Sequence, residues 1–171
     1  MNSPSAKMWV LVGEKFACVK INGRANFSSS MDFRTVLNDL RERGYHYFVL
    51  DLSECQLMDS TFLGVLAGFG LKMNTGQDGS GIELLNPNAR LSELLESLGV
   101  IHLFKVTQGA PGCTGETQPV VPGNPSRVEA SRACLEAHQT LMKINPDNVA
   151  KFKDLTQFLA EDLKKAKAPE A

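Results

Sequence analysis

Asp59, Ser60 and Thr61 set one carboxylate and two hydroxyls side by side. They stand directly before Phe62 to Met73, an apolar stretch that is predicted to be helical. Asp59 suits the N-cap, where its carboxylate accepts the free amide hydrogens of the first helical turn. Ser60 then falls on the first helical position, with its hydroxyl expected to face solvent. A phosphate on that oxygen would meet the positive end of the helix dipole and unpaired amides, so the position tolerates phosphorylation without unfolding. The same Asp-Ser pair also makes an ordinary cap with no further role, and the local residues leave both readings open.

Other chemistry fits poorly. His46, His102 and His138 lie far apart in the sequence, so no metal site is expected and they read as ordinary core or surface histidines. Cys18, Cys55, Cys113 and Cys134 are scattered without a C-x-x-C pair, which points to reduced, structural thiols. Ser60 lacks the G-x-S-x-G elbow of a hydrolase nucleophile. Asp51 and Asp59 invite comparison with a phospho-accepting receiver domain, but the first strands carry no acidic pair for magnesium, and Lys105 sits inside the last β-rich run. The glycines of Asn74 to Gly81 precede a predicted strand, which is a turn and not a phosphate cradle. Neither a cofactor nor an enzymatic activity is expected.

The elements around Ser60 define an α/β domain. Tyr45 to Leu52 is an apolar run of strand length, as in a central strand covered on both faces, followed by a short loop. The helix after Ser60 has no broad polar face, and Gly64, Gly68 and Gly70 suggest close backbone packing. Upstream, Lys7 to Val12 and Phe16 to Asn22 read as an opening hairpin. Ser28 to Ser30 then offer caps, with Asp32 three residues after Ser29, for a helix faced by Phe33, Val36, Leu37 and Leu40. Downstream come a strand at Ile82 to Asn86, a helix capped by Asn86 or Asn88, and a final β-rich run, Val100 to Val106. Strand and helix alternate, which implies a mainly parallel sheet with helices packed on it.

Thr107 to Pro125 holds four glycines and four prolines in nineteen residues, so it is expected to be a linker. Ser126 and Glu129 form a capping box for a helix with Cys134, Leu135, His138, Leu141 and Met142 on one face. Asn145-Pro146 breaks the chain before a second helix through Val149, Phe152, Leu155, Thr156, Leu159 and Leu163, fraying from Lys164 onward. The expected organisation is therefore a domain over residues 1–106, a linker over 107–125 and a helical hairpin over 126–171. That hairpin needs a surface to bury against: its own domain, another copy or a partner.

Composition narrows the partners. The 171 residues carry a formal net charge of −1, with neither a basic stripe for nucleic acid nor an acidic tail. The apolar run Met8 to Val12 is too short for a signal-peptide core or a membrane span, so a cytosolic protein is expected.

Two ordered motifs, MDSTFLGVLAGF and ELLNPNARLSELLESLGVIHLFKV, resemble the STAS domain of anti-sigma factor antagonists, sulfate transporters and their relatives. The resemblance covers about the first hundred residues. In the soluble antagonists the serine after the aspartate is phosphorylated by an anti-sigma factor with serine kinase activity, and that serine corresponds to Ser60. The resemblance thus implies partner switching. The unphosphorylated protein binds the kinase through Asp59, Ser60, Thr61 and Phe62, the phosphorylated one is released, and a phosphatase of PP2C type resets it. Three departures stand out. Arg24, Ala25 and Asn26 follow Gly23 where many members carry an acidic residue in a G-x-L-D type segment, Phe62 fills a place often held by glycine and puts a ring beside the phospho-acceptor, and the hairpin from Ser126 is additional.

The expected function is a non-enzymatic regulator switched at Ser60. The alternative is a STAS-based scaffold or homo-oligomerisation module without a phosphoswitch. A small-ligand module using Asn22 to Asn26 and Gln56 to Ser60 ranks third, because those residues specify no ligand.

Overall fold

Alternation in two strands sets the architecture. Ala17, Val19 and Ile21 of β2 (Ala17–Ala25) and Phe48, Leu50 and Leu52 of β3 (Tyr47–Met58) point to one face and join the main core, while Cys18 and Val49 point to the other. The computed structural model describes residues 6–73, 80–110 and 115–167. Most of the Asn74 to Gly81 turn, Cys113 and the last four residues lie outside them.

The remaining strands are β1 (Lys7–Val12), β4 (Gly81–Leu85), β5 (Lys105–Thr107) and β6 (Gln118–Pro119). The sheet runs β5-β4-β3-β2-β1-β6. β1 is antiparallel to both β2 and β6, and β2 through β5 are parallel neighbours. Helices α1 (Phe27–Glu42), α2 (Ser60–Met73) and α3 (Ala89–Ser97) connect the parallel strands, and their apolar side chains share the core on one face. The α/β sheet with packed helices matches the expectation. The other face is thinner, with Leu11, Cys18, Val49 and Leu85 packed by Phe16 and Tyr47.

Several boundaries differ from the sequence reading, each for a local reason. β3 does not stop at Leu52. Its pairing with β2 continues to Ala25↔Met58 across two register shifts, so the polar residues Ser53, Glu54 and Gln56 lie in strand and no loop separates β3 from Asp59. α1 starts one residue after Asn26, and Ser29, its third residue, accepts the Asn26 amide hydrogen at 3.2 Å; the box with Asp32 does not form. Val100 to Val106 is not one strand. Residues Ile101–Leu103 form a 3-10 turn after Gly99 (φ 71), which sinks Val100 and Leu103 into the core together. α3 is capped as expected, with the Asn88 side chain accepting from the Leu91 amide at 2.8 Å.

The glycine- and proline-rich segment is held at both ends. Thr107 closes β5 at one edge of the sheet, and Gln118–Pro119 pairs with β1 at the other. Gly115 lies against Leu11, which belongs to the smaller cluster on the face away from α1 to α3. Helices α4 (Arg127–Ile144) and α5 (Asn148–Lys167) follow. Ser126 caps α4 through the Glu129 amide at 3.1 Å. The buried face of α4 is Ala133, Ala137, His138 and Leu141, shifted from the expected Cys134, Leu135 and Met142. α5 buries Thr156, Leu159 and Leu163 and leaves Val149, Leu155 and Phe158 exposed. The hairpin packs on its own domain, α4 lying along α2 with Leu141 inside the main core. Among the described residues, no helix is long and apolar enough to cross a membrane.

Candidate functional site

The site is built where β3 hands the chain to α2. Asp59 Oδ1 accepts the Phe62 amide hydrogen at 2.8 Å, the N-cap bond expected from sequence. Its Oδ2 accepts the Phe27 amide hydrogen at 2.6 Å, the first amide of α1. The Asp59 amide donates to the Ala25 carbonyl at 2.9 Å. One carboxylate therefore joins the N-termini of two helices, both of which favour its negative charge. This bridge was not legible in the sequence.

Ser60 occupies the first position of α2 but does not face open solvent, which corrects the expectation. It is half-buried, and its Oγ lies 2.8 Å from His138 Nε2 on α4. His138 Nδ1 lies 2.7 Å from the Cys134 carbonyl oxygen, which only accepts, so Nδ1 carries the hydrogen. In the neutral ring Nε2 is then the acceptor, and the Ser60 hydroxyl donates to it. The imidazole is 1% exposed and stands edge-on to Phe152, with centroids 4.8 Å apart. A serine held by a histidine is the start of a nucleophile and base pair, yet here the base is sealed between helices instead of open to a substrate.

Thr61 is buried beneath Cys134, with Oγ1 and Sγ 3.4 Å apart. Phe62 is wholly buried, its ring stacked on Phe33 at a centroid distance of 4.4 Å. The expectation of a ring beside the phospho-acceptor, offered to a partner, is therefore corrected: the ring points into the core because the sheet side of α2 needs large apolar groups. Of the four predicted residues, Asp59 and Ser60 stand together at the helix start, while Thr61 and Phe62 turn to the α4 side and the core.

One turn further along, α2 and α4 approach to backbone contact. A Cβ on Gly64 would stand 2.7 Å from the Ala137 carbonyl carbon, so only glycine fits. Gly68 leaves more room, its Cβ position 3.6 Å from Thr140 Cγ2. A groove of about 200 Å³ opens beside this seam, bordered by Lys72, Thr140 and the Arg34–Glu136 ion pair at 3.1 Å. Among the described residues, no group of three or more histidines, cysteines or carboxylates is placed to hold a metal ion.

Comparison with known proteins agrees with the fold of residues 11–106. The family model described as "Mlab, STAS domain" matches residues 11–106. An anti-sigma-B factor antagonist from Staphylococcus aureus is 28% identical over 96 residues, covering 56% of this chain and 87% of that protein. One from Staphylococcus epidermidis is 27% identical over the same length. Among solved structures, an anti-sigma factor antagonist from Mycobacterium paratuberculosis superposes with a TM-score of 0.54 at 16% identity, over 63% of this chain and 90% of that one. The Bacillus cell fate determinant SpoIIAA in its phosphorylated form superposes with a TM-score of 0.50 at 14% identity, over 63% and 93%. These structural likenesses show the fold. The family match ends at residue 106, well before α4 begins at Arg127.

Proposed function

The chain belongs to the STAS domain family, and we propose that it is a partner-switching regulator of the anti-sigma factor antagonist kind, with Ser60 as its phospho-acceptor. The observation that carries this reading is the position of Ser60: first residue of α2, directly after the Asp59 cap, in a domain similar to anti-sigma-B factor antagonists. Residues 1–106 form the regulatory domain in this reading, 107–125 the connection and 126–171 an added hairpin. The partner is an anti-sigma factor with serine kinase activity, and a PP2C-type phosphatase reverses its action. The protein works in the cytosol and acts by binding, not by catalysis.

The physics of the switch is electrostatic. A phosphate adds roughly −1.5 to −2 charge at the α2 N-terminus. The helix dipole there limits the cost to the fold. A partner surface that is acidic or apolar loses its fit through like-charge repulsion or desolvation. The test is phosphosite mapping of the protein isolated from its native cells under several growth conditions, with Ser60→Ala as the control. Phosphate at Ser60 that disappears in the variant supports the switch; Ser60 unmodified throughout contradicts it.

A second reading, a scaffold without a switch, draws on the exposed apolar residues of α5. Phe158 is 65% exposed and stands one turn from the exposed Leu155. A stable oligomer abolished by Phe158→Glu, in a protein indifferent to Ser60 substitution, would favour that reading.

A further inference from the structure

We propose that α4 is a built-in cap over the phospho-acceptor face of α2, and that docked α4, a phosphate on Ser60 and a bound partner exclude one another. The phosphate and partner arms rest on the reading of Ser60 above, whereas the cap itself stands on geometry alone. Three observations carry it.

First, α4 occupies the face completely at its closest point. The Ala137 carbonyl group fills the space that any side chain at position 64 would need, His138 covers Ser60, and Cys134 covers Thr61. No second helix can reach these residues while α4 is in place.

Second, the docked arrangement has no place for a phosphate. Transfer of the γ-phosphoryl group of ATP to Ser60 Oγ releases ADP and a proton, so the hydrogen that binds His138 Nε2 is gone. The new group sets three anionic oxygens against an imidazole that is 1% exposed, whose other nitrogen is committed to the Cys134 carbonyl. The seam, tight enough to require glycine at 64, must part to admit them.

Third, the cap is separable. The family domain ends by residue 106, and a match spanning 87% of the Staphylococcus aureus relative leaves it too few residues for helices of 18 and 20 residues. Residues 121–126, which lead into α4, are exposed. The hairpin buries several polar groups: His138, Thr156 and Asn148, the last with Oδ1 unpaired. Leu141 and Phe152 nevertheless pack against the main core, so release exposes apolar surface. The cap is therefore exchanged and not simply shed. The partner that replaces it offers a helix of like chemistry, with small residues opposite Gly64 and Gly68 and a hydrogen-bond acceptor for Ser60.

The test reads the cap without needing the partner. Cys134, at the seam, is labelled with a maleimide in the full chain, beside Cys18 and Cys55, which are buried in the domain. Burial pushes the Cys55 thiol up to about 11, which makes it a slow reference. Ser60→Glu is expected to accelerate Cys134 labelling at least about tenfold and leave the two references unchanged. Gly64→Leu, which pushes α4 away without adding charge, gives the same selective effect if Ser60→Glu disturbs the whole fold. Wild-type labelling of Cys134 in both variants overturns the cap.

Exclusion is tested with Gly68→Cys/Thr140→Cys, which closes a disulfide across the seam. ATP in native-cell extract should phosphorylate Ser60 in the reduced form and at least about tenfold less in the oxidised form. Equal phosphorylation of both forms overturns exclusion and leaves the Ser60 reading standing. Selective opening of the cap, with no phosphate on Ser60 in cells or extract, ends that reading and leaves the cap.

Discussion

Helix α2 meets α1 and the sheet through Phe62, Leu63, Leu66 and Phe69, all buried, with Phe62 stacked on Phe33 of α1 and Phe69 edge-on to Phe48 of β3. It meets α4 through Ser60, Thr61 and Gly64, which face His138, Cys134 and Ala137. The first seam gains its stability from apolar volume; the second gains closeness and two polar contacts. Burial of large side chains is worth far more than a net hydrogen bond, so the two sides of one helix differ in what separation costs. The difference separates a face committed to the fold from one that can change its occupant.

The largest effect is expected on the sheet side. Phe62→Ala leaves a cavity under Phe33 and should cost about 3–5 kcal/mol in urea unfolding of the whole domain. A loss under about 1 kcal/mol would mean that the two sides are alike after all. Asp59→Ala comes next. It removes the α2 cap and the acceptor of the first α1 amide together, for about 2 kcal/mol by the same measurement.

On the α4 side the effects are smaller and local. Gly64→Ala gains about 1 kcal/mol of helix propensity but forces the Ala137 backbone away, at about 1–3 kcal/mol, so a net loss of about 1 kcal/mol is expected. Hydrogen exchange should place that loss in α4 and α5 and leave the sheet amides unchanged. Arg34→Ala breaks a half-exposed ion pair with Glu136 and should shift stability by no more than about 0.5 kcal/mol, diminishing with salt.

Much of the fold could be read along the chain. β-rich composition around Gly13 gave the strands of the opening hairpin, and Asn88 and Ser126 announced their helices by cap chemistry. Misreadings arose where tertiary pairing overrode local pattern. β3 keeps Ser53, Glu54 and Gln56 because β2 continues beside it, and Val100 and Leu103 are β-rich in composition but bury together across a 3-10 turn. At the site, the Asp59 cap was legible because its amide partner lies three residues away, whereas its bond to Phe27 spans 32 positions. The Ser60–His138 bond spans 78 positions and leaves no local trace at Ser60. The signal that could have found it lay in α4: a histidine on the same stripe as Ala137 and Leu141 must bury its nitrogens and therefore needs a partner.

The switch stands or falls on a comparison of the full chain in two states, unmodified and phosphorylated at Ser60, for retention of an anti-sigma factor kinase from native cells. Retention by the unmodified protein is expected to be at least about tenfold above that by the phosphorylated one. Equal retention by the two would contradict it.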